Sequence, residues 1–461
     1  MTAATDPTRR ALLRMGLAAV GLGLAPGLVA ACGSGRSGAP SSSSASTSTS
    51  PLPPAPSPSN VTTVASAEQA GALVLWLANQ AARDGSFGIA GAIFDNVSGR
   101  ILQLIPNRVM QRLRPEVATT DGETFTHDPT AHGERQLVSW YYANRTQLNL
   151  PEPSQLTVVT SLDPCAMCTG ALLTVGFNVA VVAPDTFSGI NYTQDGQFAD
   201  LPVNLRAAAL RTFGYYAVTG GRRYQGAATV PFAATELTQG TFNGCESTYQ
   251  ISATSVRQSR KDSGTDPASL KDPTTTTGGR PVVDAYRKLY PQAYELKLSS
   301  PGKPDAALRK VLTQVRDATP GATNAVAFVD PFGNVVLVAA DAPQVSPIAT
   351  GFMTVAQGYS TTRFDLMNDR ATTGLAKATL TSPKYGTFVF LNAPDPYSAT
   401  TILDLGGYGS TVESAPPKPG NFQYFDPPRS GTVAQLMQVI SALPPLYSQL
   451  IKISPQQVTG G

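Results

Sequence analysis

The sequence predicts a three-layer α/β/α fold that occurs twice in the chain, with a degenerate second copy. Residues 67–213 read in the order helix, strand hairpin, helix, strand, helix and strand, and the same order recurs over 305–405. Strands that alternate with amphipathic helices form a sheet covered by helices on both faces. About 400 of the 461 residues remain after an N-terminal leader and tether, which suits two domains of ordinary size.

The elements of the first copy follow from apolar periodicity and turn signals. A helix over 67–83 is predicted because Leu73 and Leu77 fall on one face. Two apolar runs flank the turn at Asn96–Gly99, as in an antiparallel hairpin. The predicted strands are 89–95, 100–106, 156–161 and 178–183, and the further helices are 132–144, 165–175 and 205–213.

The second copy is predicted from the same signals in the second half of the chain. Its predicted helices are 305–318 and 398–405, and its predicted strands are 325–330, 334–339 and 387–391. The predicted domains are 61–256 and 281–461, with 257–280 as the linker between them.

Two short motifs carry metal chemistry. His132-Gly133-Glu134 is followed by Pro164-Cys165-Ala166-Met167-Cys168. One His and two Cys supply three ligands for Zn²⁺ and leave a fourth position for water, whose pKa the metal lowers to about 7. His132 and Cys165 lie 33 positions apart, which leaves room for a helix and a strand, so that two helix N-termini can meet at the metal. Glu134 would then move the protons of that water to the substrate.

These motifs resemble the signatures of a known enzyme superfamily. Asp128 to Glu134 and Asp163 to Ala171 are similar to those of the zinc-dependent cytidine deaminases, in the branch with guanine, cytosine and tRNA adenosine deaminases. The resemblance covers roughly residues 66–220 and departs from the family at Gly133 (usually Ala) and Asp163 (usually Glu). It implies hydrolytic deamination with zinc as cofactor and a substrate-binding Asn at the position of Asn107.

Other interpretations of the same residues exist. Cys165 and Cys168 could form a disulfide in an exported protein, and a lone His more often satisfies a core hydrogen bond. The two motifs in this order, with Pro before the first Cys and Glu after the His, favour zinc. His127 would either line the pocket mouth or lie in a solvated loop, and Cys245 is predicted to be a buried or semi-buried thiol without a role.

In the second copy each position of the zinc site has lost its chemistry. The predicted replacements are Thr350 for His132, Phe352 for Glu134, Tyr397 for Cys165, Thr400 for Cys168, Asp341 for Asn107 and Asp330 for Asp95. Phe352 and Tyr397 are large enough to fill the vacated pocket. Superfamily members usually oligomerise, so the silent copy is expected to form an intramolecular pseudo-dimer with the first. Chance similarity of two α/β units is the alternative.

The N-terminus predicts export. Arg9-Arg10 opens a twin-arginine pattern with an apolar run behind it, and Val29-Ala30-Ala31-Cys32 resembles a bacterial lipobox. Residues 1–31 would be the signal peptide, Cys32 the lipid anchor and 32–60 a Ser/Pro-rich disordered tether at the cell envelope. A soluble secreted protein and a permanent membrane helix are the alternatives.

Charge and motifs together give the predicted function. Charged residues make up 14% of the chain, and loss of the signal peptide lowers the formal net charge from +3 to +1, which disfavours a nucleic-acid polymer as partner. We therefore expect a lipid-anchored deaminase of a free nucleobase or nucleoside, with a purine such as guanine first. The alternatives are a non-catalytic base- or nucleotide-binding lipoprotein and a nucleic-acid-editing effector.

Overall fold

The computed structural model describes most of the two predicted domains and little of the tether. The described residues are 51–55, 57, 61–190, 198–199, 201–223, 225–226, 230–259, 267–300, 302–412 and 421–459. The signal peptide and Cys32 lie outside the described residues, so export and lipidation stay predictions.

The first copy is built on a sheet in the order β2-β1-β5-β6-β7-β9. The strands of this copy are β1 Ala90–Asp95, β2 Ile101–Pro106, β3 Met110–Arg112, β4 Thr124–Thr126, β5 Leu156–Leu162, β6 Asn178–Ala183, β7 Phe213–Tyr215, β8 Ala217–Val218, β9 Gln225–Gly226 and β10 Glu236–Leu237. β1 pairs antiparallel with β2 and β5, whereas β5, β6 and β7 run parallel. The carboxyl ends of β5 and β6 therefore meet at one edge of the sheet, where loops can build a site.

Helices cover both faces of this sheet. They are α1 Ala67–Arg83, α2 Gly133–Asn144, α3 Ala166–Val175, α4 Val203–Thr212 and α5 Gln239–Ser259. Successive strand residues point to opposite faces of the sheet. Val159 and Ala180 therefore pack with α1 and α5 on one face, while Val158 and Val179 pack with α2, α3 and α4 on the other. The three-layer α/β/α prediction is confirmed for this copy.

The second copy repeats the arrangement on a sheet in the order β12-β11-β13-β14-β15. Its strands are β11 Ala325–Val329, β12 Val335–Ala340, β13 Thr387–Asn392, β14 Phe422–Asp426 and β15 Gln456–Gln457. Its helices are α6 Arg280–Arg287, α7 Ala306–Ala318, α8 Gly351–Met367, α9 Thr373–Thr379, α10 Ala399–Thr411 and α11 Val433–Ala442, followed by a π-helical turn at Leu446–Ile451. Short 3-10 turns lie at Pro153–Gln155, Pro267–Ser269 and Pro383–Tyr385.

Strand register shows that the two copies share one fold. Gly91 lies opposite Thr160 in the first sheet, and Val326 lies opposite Phe390 in the second. Both hairpins also shift register near the end of their first strand, between Ile93 and Phe94 in one and between Phe328 and Val329 in the other. His132 and Thr350 are the N-caps of α2 and α8, so the duplicated fold is confirmed and Thr350 takes the place of His132.

The register corrects the predicted correspondence at the second motif. Cys165 is the N-cap of α3, but the N-cap of α10 is Ser398, not Tyr397. The loop before α10 is longer than its counterpart, and this places Thr401, not Thr400, in the position of Cys168. Tyr397 is 44% exposed, so the prediction that it fills the vacated pocket is wrong.

The two copies contact each other through α3 and α10. Both helices carry a glycine at the crossing, and a Cβ on Gly406 would stand 2.6 Å from the Met167 Cα. A single cluster of buried apolar side chains continues from one copy into the other, including Ala171 of α3 and Leu403 of α10. The largest apolar cluster is thus shared by the two copies, whereas the opposite face of each sheet has a cluster of its own.

The long connection between β2 and α2 forms a second contact. It contains the β3–β4 hairpin, in which Met110 lies opposite Thr126. The guanidinium of Arg363, in α8, lies 4.7 Å from the centre of the Phe125 ring. None of the helices in the described ranges has the length and apolar character needed to span a bilayer.

Candidate active site

Two helix N-termini meet at the predicted zinc ligands. His132 and Cys165 are N-caps in extended conformation, and Cys165 Sγ lies 3.5 Å from His132 Nδ1. Gly133 lets α2 begin here, because a Cβ at this position would stand 2.7 Å from the Ile105 carbonyl oxygen. The chain therefore brings together side chains that are 33 residues apart.

The donor atoms fit a zinc ion. One ligand atom from each of His132, Cys165 and Cys168 lies within 4.8 Å of the others, and no other such group occurs in the described part of the chain. Tetrahedral zinc with ordinary Zn–S and Zn–N bonds places sulfur and nitrogen about 3.6 Å apart. The observed 3.5 Å between Cys165 and His132 agrees with that geometry. Three protein donors leave the fourth position for water or substrate.

The thiol of Cys168 and the ring of His132 favour a thiolate at Cys165. The hydrogen bond with Cys168 is the largest effect that lowers the pKa of Cys165, and the charge of His132 adds to it, while burial opposes both. Cys165 also stands at the N-terminus of α3, where the helix dipole favours negative charge. Of the two cysteines, Cys165 is the one whose thiolate form the site favours, because burial raises the pKa of Cys168.

Glu134 lies beside the donors without belonging to them. It is only 2% exposed, and its Oε1 accepts a hydrogen bond of 2.8 Å from the hydroxyl of Thr160 in β5. Its Oε2 lies 3.4 Å from Cys168 Sγ. Burial, and next the negative charge of Cys165, raise the pKa of Glu134. A carboxyl group held in this way can accept and return a proton next to the metal position.

Asn107 offers a free donor to the same pocket. Its Oδ1 accepts hydrogen bonds from Ser86 Oγ at 2.7 Å and from the Val109 backbone N–H at 3.0 Å. These contacts fix the orientation of the amide, and its buried Nδ2 has no hydrogen-bond partner among the residues that the structure describes. Because a buried donor without a partner is costly, this atom is a place where a ligand acceptor gains a hydrogen bond.

Two carboxylates that the sequence analysis did not single out as site residues also line the pocket. Asp163 accepts hydrogen bonds from the Tyr215 hydroxyl and the Asp185 backbone N–H, and burial raises its pKa to about 7. Asp185 in turn accepts hydrogen bonds from the loop at Phe187 and Ser188. A sequence signal existed, because Asp163 and Asp185 each follow a parallel strand, and adjacent parallel strands end at the same edge.

The pocket has walls from both copies. Apolar side chains of the first copy line one side, and residues of the second copy close the other. The first set is Phe87, Ile89, Val109 and Tyr249, and the second is Gly409, Ser410, Leu446 and Tyr447.

The corresponding place in the second copy lacks the His and Cys donors of the first. The hydroxyl of Thr350 donates a 2.6 Å hydrogen bond to Asp404, a buried carboxyl group whose pKa burial raises well above its usual range. Phe352 is fully buried and stacks on Phe390, with ring centres 5.8 Å apart. An apolar ring thus stands where Glu134 stands in the first copy, as predicted.

His127 and Cys245 lie away from the pocket. His127 is half-buried and packs edge-on against Phe364 of α8, with ring centres 5.0 Å apart, so it neither lines the mouth nor lies in a solvated loop. Cys245 is fully buried in α5, and burial raises its pKa far above the usual range. It is therefore a core thiol, and of the two predicted environments, buried and semi-buried, the buried one is correct.

Among the known proteins compared with this chain, only solved structures are similar to it. No protein-family model and no curated protein matches the chain. A structure from a study of tRNA:A34 deaminases is 20% identical over 26% of this chain and 80% of its own, with a TM-score of 0.20. A guanine deaminase from Nitrosomonas europaea is 20% identical over 41% of this chain and 87% of its own, with a TM-score of 0.25. A complex with 2,6-diaminopurine is also 20% identical, over 41% and 84%, with a TM-score of 0.23.

Proposed function

We propose that this protein is a zinc-dependent hydrolytic deaminase that replaces the amino group of a free nucleobase or nucleoside with oxygen and releases ammonia. One observation carries the proposal. The donors of His132, Cys165 and Cys168, the carboxyl group of Glu134 and the unpartnered amide of Asn107 all line one pocket. A site that only bound a base would have no use for a buried carboxyl group beside three metal donors.

Each residue has a defined task in this reaction. His132, Cys165 and Cys168 would hold the metal, which when bound would supply the Lewis acidity that lowers the pKa of water to about 7. Glu134 takes a proton from the attacking water and delivers it to a ring nitrogen of the substrate. It then passes the second proton of the water to the departing amino group, which leaves as ammonia. Thr160 holds the carboxyl group in place during both transfers.

Asn107 orients the substrate in this proposal. Its Nδ2 donates a hydrogen bond to a carbonyl oxygen or a ring nitrogen of the base, because its Oδ1 is already fixed by Ser86 and Val109. Phe87 and Val109 supply apolar surface for the ring faces. A purine such as guanine is the first substrate to test, on the sequence resemblance of the two motifs.

We also infer that the second copy takes the place of a partner subunit. The α3–α10 packing and the wall at Gly409 and Tyr447 support an intramolecular pseudo-dimer with one active centre per chain. Because the second copy closes one side of the pocket, a small ring fits this site better than a folded polymer does. Net charge near zero in the mature chain supports the same choice.

Export and lipidation complete the proposal and rest on the sequence alone. Arg9-Arg10 and Cys32 support twin-arginine export and acylation at the cell envelope. Metabolic labelling with an alkyne fatty acid tests the anchor. We expect label on the wild-type chain and none on Cys32→Ala, and a soluble, unlabelled wild-type protein would refute lipidation.

A substrate panel tests the activity. Zinc-loaded protein is incubated with guanine, cytosine, adenine and their nucleosides, and ammonia is measured. We expect turnover of at least one compound, and Glu134→Ala should abolish it while zinc content and melting temperature are retained. Silence across the panel with one zinc per chain would favour a binding lipoprotein. Activity confined to single-stranded DNA or RNA would favour the editing alternative.

A further inference from the structure

The second copy has a cavity of its own where the first copy has the candidate active site. Its volume is about 430 Å³, which is in the range of sites that hold small organic molecules. Its lining runs from exposed residues such as Thr323 and Pro343 to the buried Thr350 and Thr401, in the first turns of α8 and α10. It shares no lining residue with the pocket of the first copy. Loss of the metal donors has therefore left room for a ligand.

Three carboxyl groups line this cavity, those of Asp341, Asp395 and Asp404. Asp404 is 8% exposed, and its Oδ1 accepts a hydrogen bond from Thr350, whereas its Oδ2 has no hydrogen-bond partner in the described part of the chain. Within the described residues none of the three forms an ion pair, and Arg429, which also lines the cavity, is exposed. A buried carboxyl group without a cation is costly, so a positively charged ligand would gain most beside Asp404.

Asp404 is not a remnant of a metal site. It lies six residues after Ser398, the N-cap of α10, and the residue six positions after Cys165, the N-cap of α3, is Ala171. Ala171 is fully buried. The second copy thus has a carboxyl group where the first copy buries a methyl group. Packing alone would favour an apolar side chain at such a position.

The contacts around the cavity exclude two classes of ligand. An anion is disfavoured because helix N–H groups that attract anions are already bonded: Gly351 donates to Asp341 at 3.0 Å, and Met353 donates to the Thr350 hydroxyl at 3.1 Å. A metal ion is disfavoured because the three carboxyl groups do not bring their oxygens within 4.8 Å of one another, as far as the structure describes the chain. Acceptors that are spread over a larger cavity match an organic cation with several N–H groups.

We propose that this cavity binds a small organic cation with several N–H donors, such as an amine or a guanidinium compound, whose charge pairs with Asp404. Asp341 and Asp395 accept further hydrogen bonds from it on the cavity wall. Burial raises the pKa of Asp404 well above its usual range, and a bound cation opposes this, because an opposite charge favours the ionised form. The second copy is then a binding module. The inference rests on the duplicated fold and not on the proposed deamination.

Isothermal titration calorimetry of the full chain tests the proposal. Agmatine, putrescine and spermidine are the probes, and tetramethylammonium, succinate and Mg²⁺ are a cation without N–H donors, an anion and a metal ion. We expect at least one probe to bind at one site per chain and the other three compounds not to bind. Asp404→Asn keeps the oxygen that Thr350 bonds and removes the charge, so it should weaken binding about 10–100-fold.

Matched variants locate the site. Asp330→Asn removes another buried carboxyl group of the second copy, 6% exposed and outside the cavity, and should leave the affinity unchanged. Glu134→Ala, in the other pocket, should also bind as the wild type does. Asp395→Asn, on the half-buried wall, should weaken binding and provides a second test if Asp404→Asn does not fold.

Three results would overturn the proposal. They are no binding of any probe, binding of succinate or Mg²⁺ alone, and wild-type affinity in the folded cavity variants. The titrations need no turnover, so failure of the proposed deamination gives a separate result.

Discussion

Gly170 of α3 lies directly against Leu403 of α10, and a Cβ on the glycine would stand 2.7 Å from the Leu403 Cα. The neighbouring atoms are backbone, so no side-chain rotation can make room. The two helices approach each other this closely because each has a glycine at the crossing. The packing that unites the two copies therefore depends on the absence of two methyl groups.

Gly170→Ala should destabilise the protein by about 1–3 kcal/mol, because the added methyl group forces the helices apart. Gly374→Ala is the control, since a Cβ at that position in α9 meets nothing within 4 Å. We expect the control to keep or slightly raise the melting temperature. Urea unfolding of both variants measures the difference. Equal stability of Gly170→Ala and wild type would contradict the close packing of α3 and α10.

Thr160→Val should lower kcat by about 10-fold, because Glu134 loses the hydroxyl that holds its carboxyl group. Thr157→Val is the matched control in the same strand, with equal burial and a side-chain hydrogen bond to Asn96 of 2.6 Å. It should cost about 1 kcal/mol of stability and leave kcat unchanged. Equal kcat in both variants would show that Thr160 has only a structural role.

Asn107→Asp keeps the oxygen that Ser86 and Val109 bind and removes the free donor. We expect KM to rise about 10–100-fold, since a substrate acceptor then faces an oxygen instead of an N–H group. Zinc content should be unchanged, because Asn107 is not among the metal donors. Steady-state kinetics on the best substrate of the panel measures the change. An unaltered KM would remove Asn107 from the substrate site.

The stability of the protein should depend on Asp330, whose pKa burial raises to about 6. The folded state then binds more protons than the unfolded state between about pH 4 and 6, so this group's contribution to stability falls as pH rises through that range. Asp330→Asn should remove about 2–4 kcal/mol of that pH dependence. Urea unfolding at pH 4 and pH 7 measures it. Asp121→Asn, at an exposed position, should keep the wild-type dependence, and an identical result for Asp330→Asn would refute the shift.

Local sequence signals were sufficient for most of the fold. α1 was predicted at its observed bounds, because Ser66 caps it and its apolar residues repeat with helical period. The hairpin β1–β2 and strands β5 and β6 were found within one residue, since turn residues bound each apolar run. α5 was not predicted, because its hydroxyl-rich sequence has a weak apolar period and its burial is decided by contact with α1.

The metal donors were readable from sequence, whereas the walls of the pocket were not. His132 and Cys165 belong to short motifs whose spacing has a chemical reason. Tyr447 lies 282 residues beyond Cys165 and lines the same pocket only because the two copies pack together. The error at Tyr397 has the same origin, because a repeated Asp-Pro pair in sequence predicts a shared position, whereas strand register decides that position.

The apolar core that runs through α3 and α10 requires the second copy to keep its fold, and this requirement does not depend on catalysis. Residues such as Leu403 are constrained by packing against the first copy. Positions around Thr350 and Asp404 have no metal site to maintain. For folding, we therefore expect two classes of positions in the second copy, intolerant ones that face the first copy and tolerant ones around Thr350 and Asp404. A saturation-mutagenesis survey would separate them as two regions of unequal tolerance within a single domain.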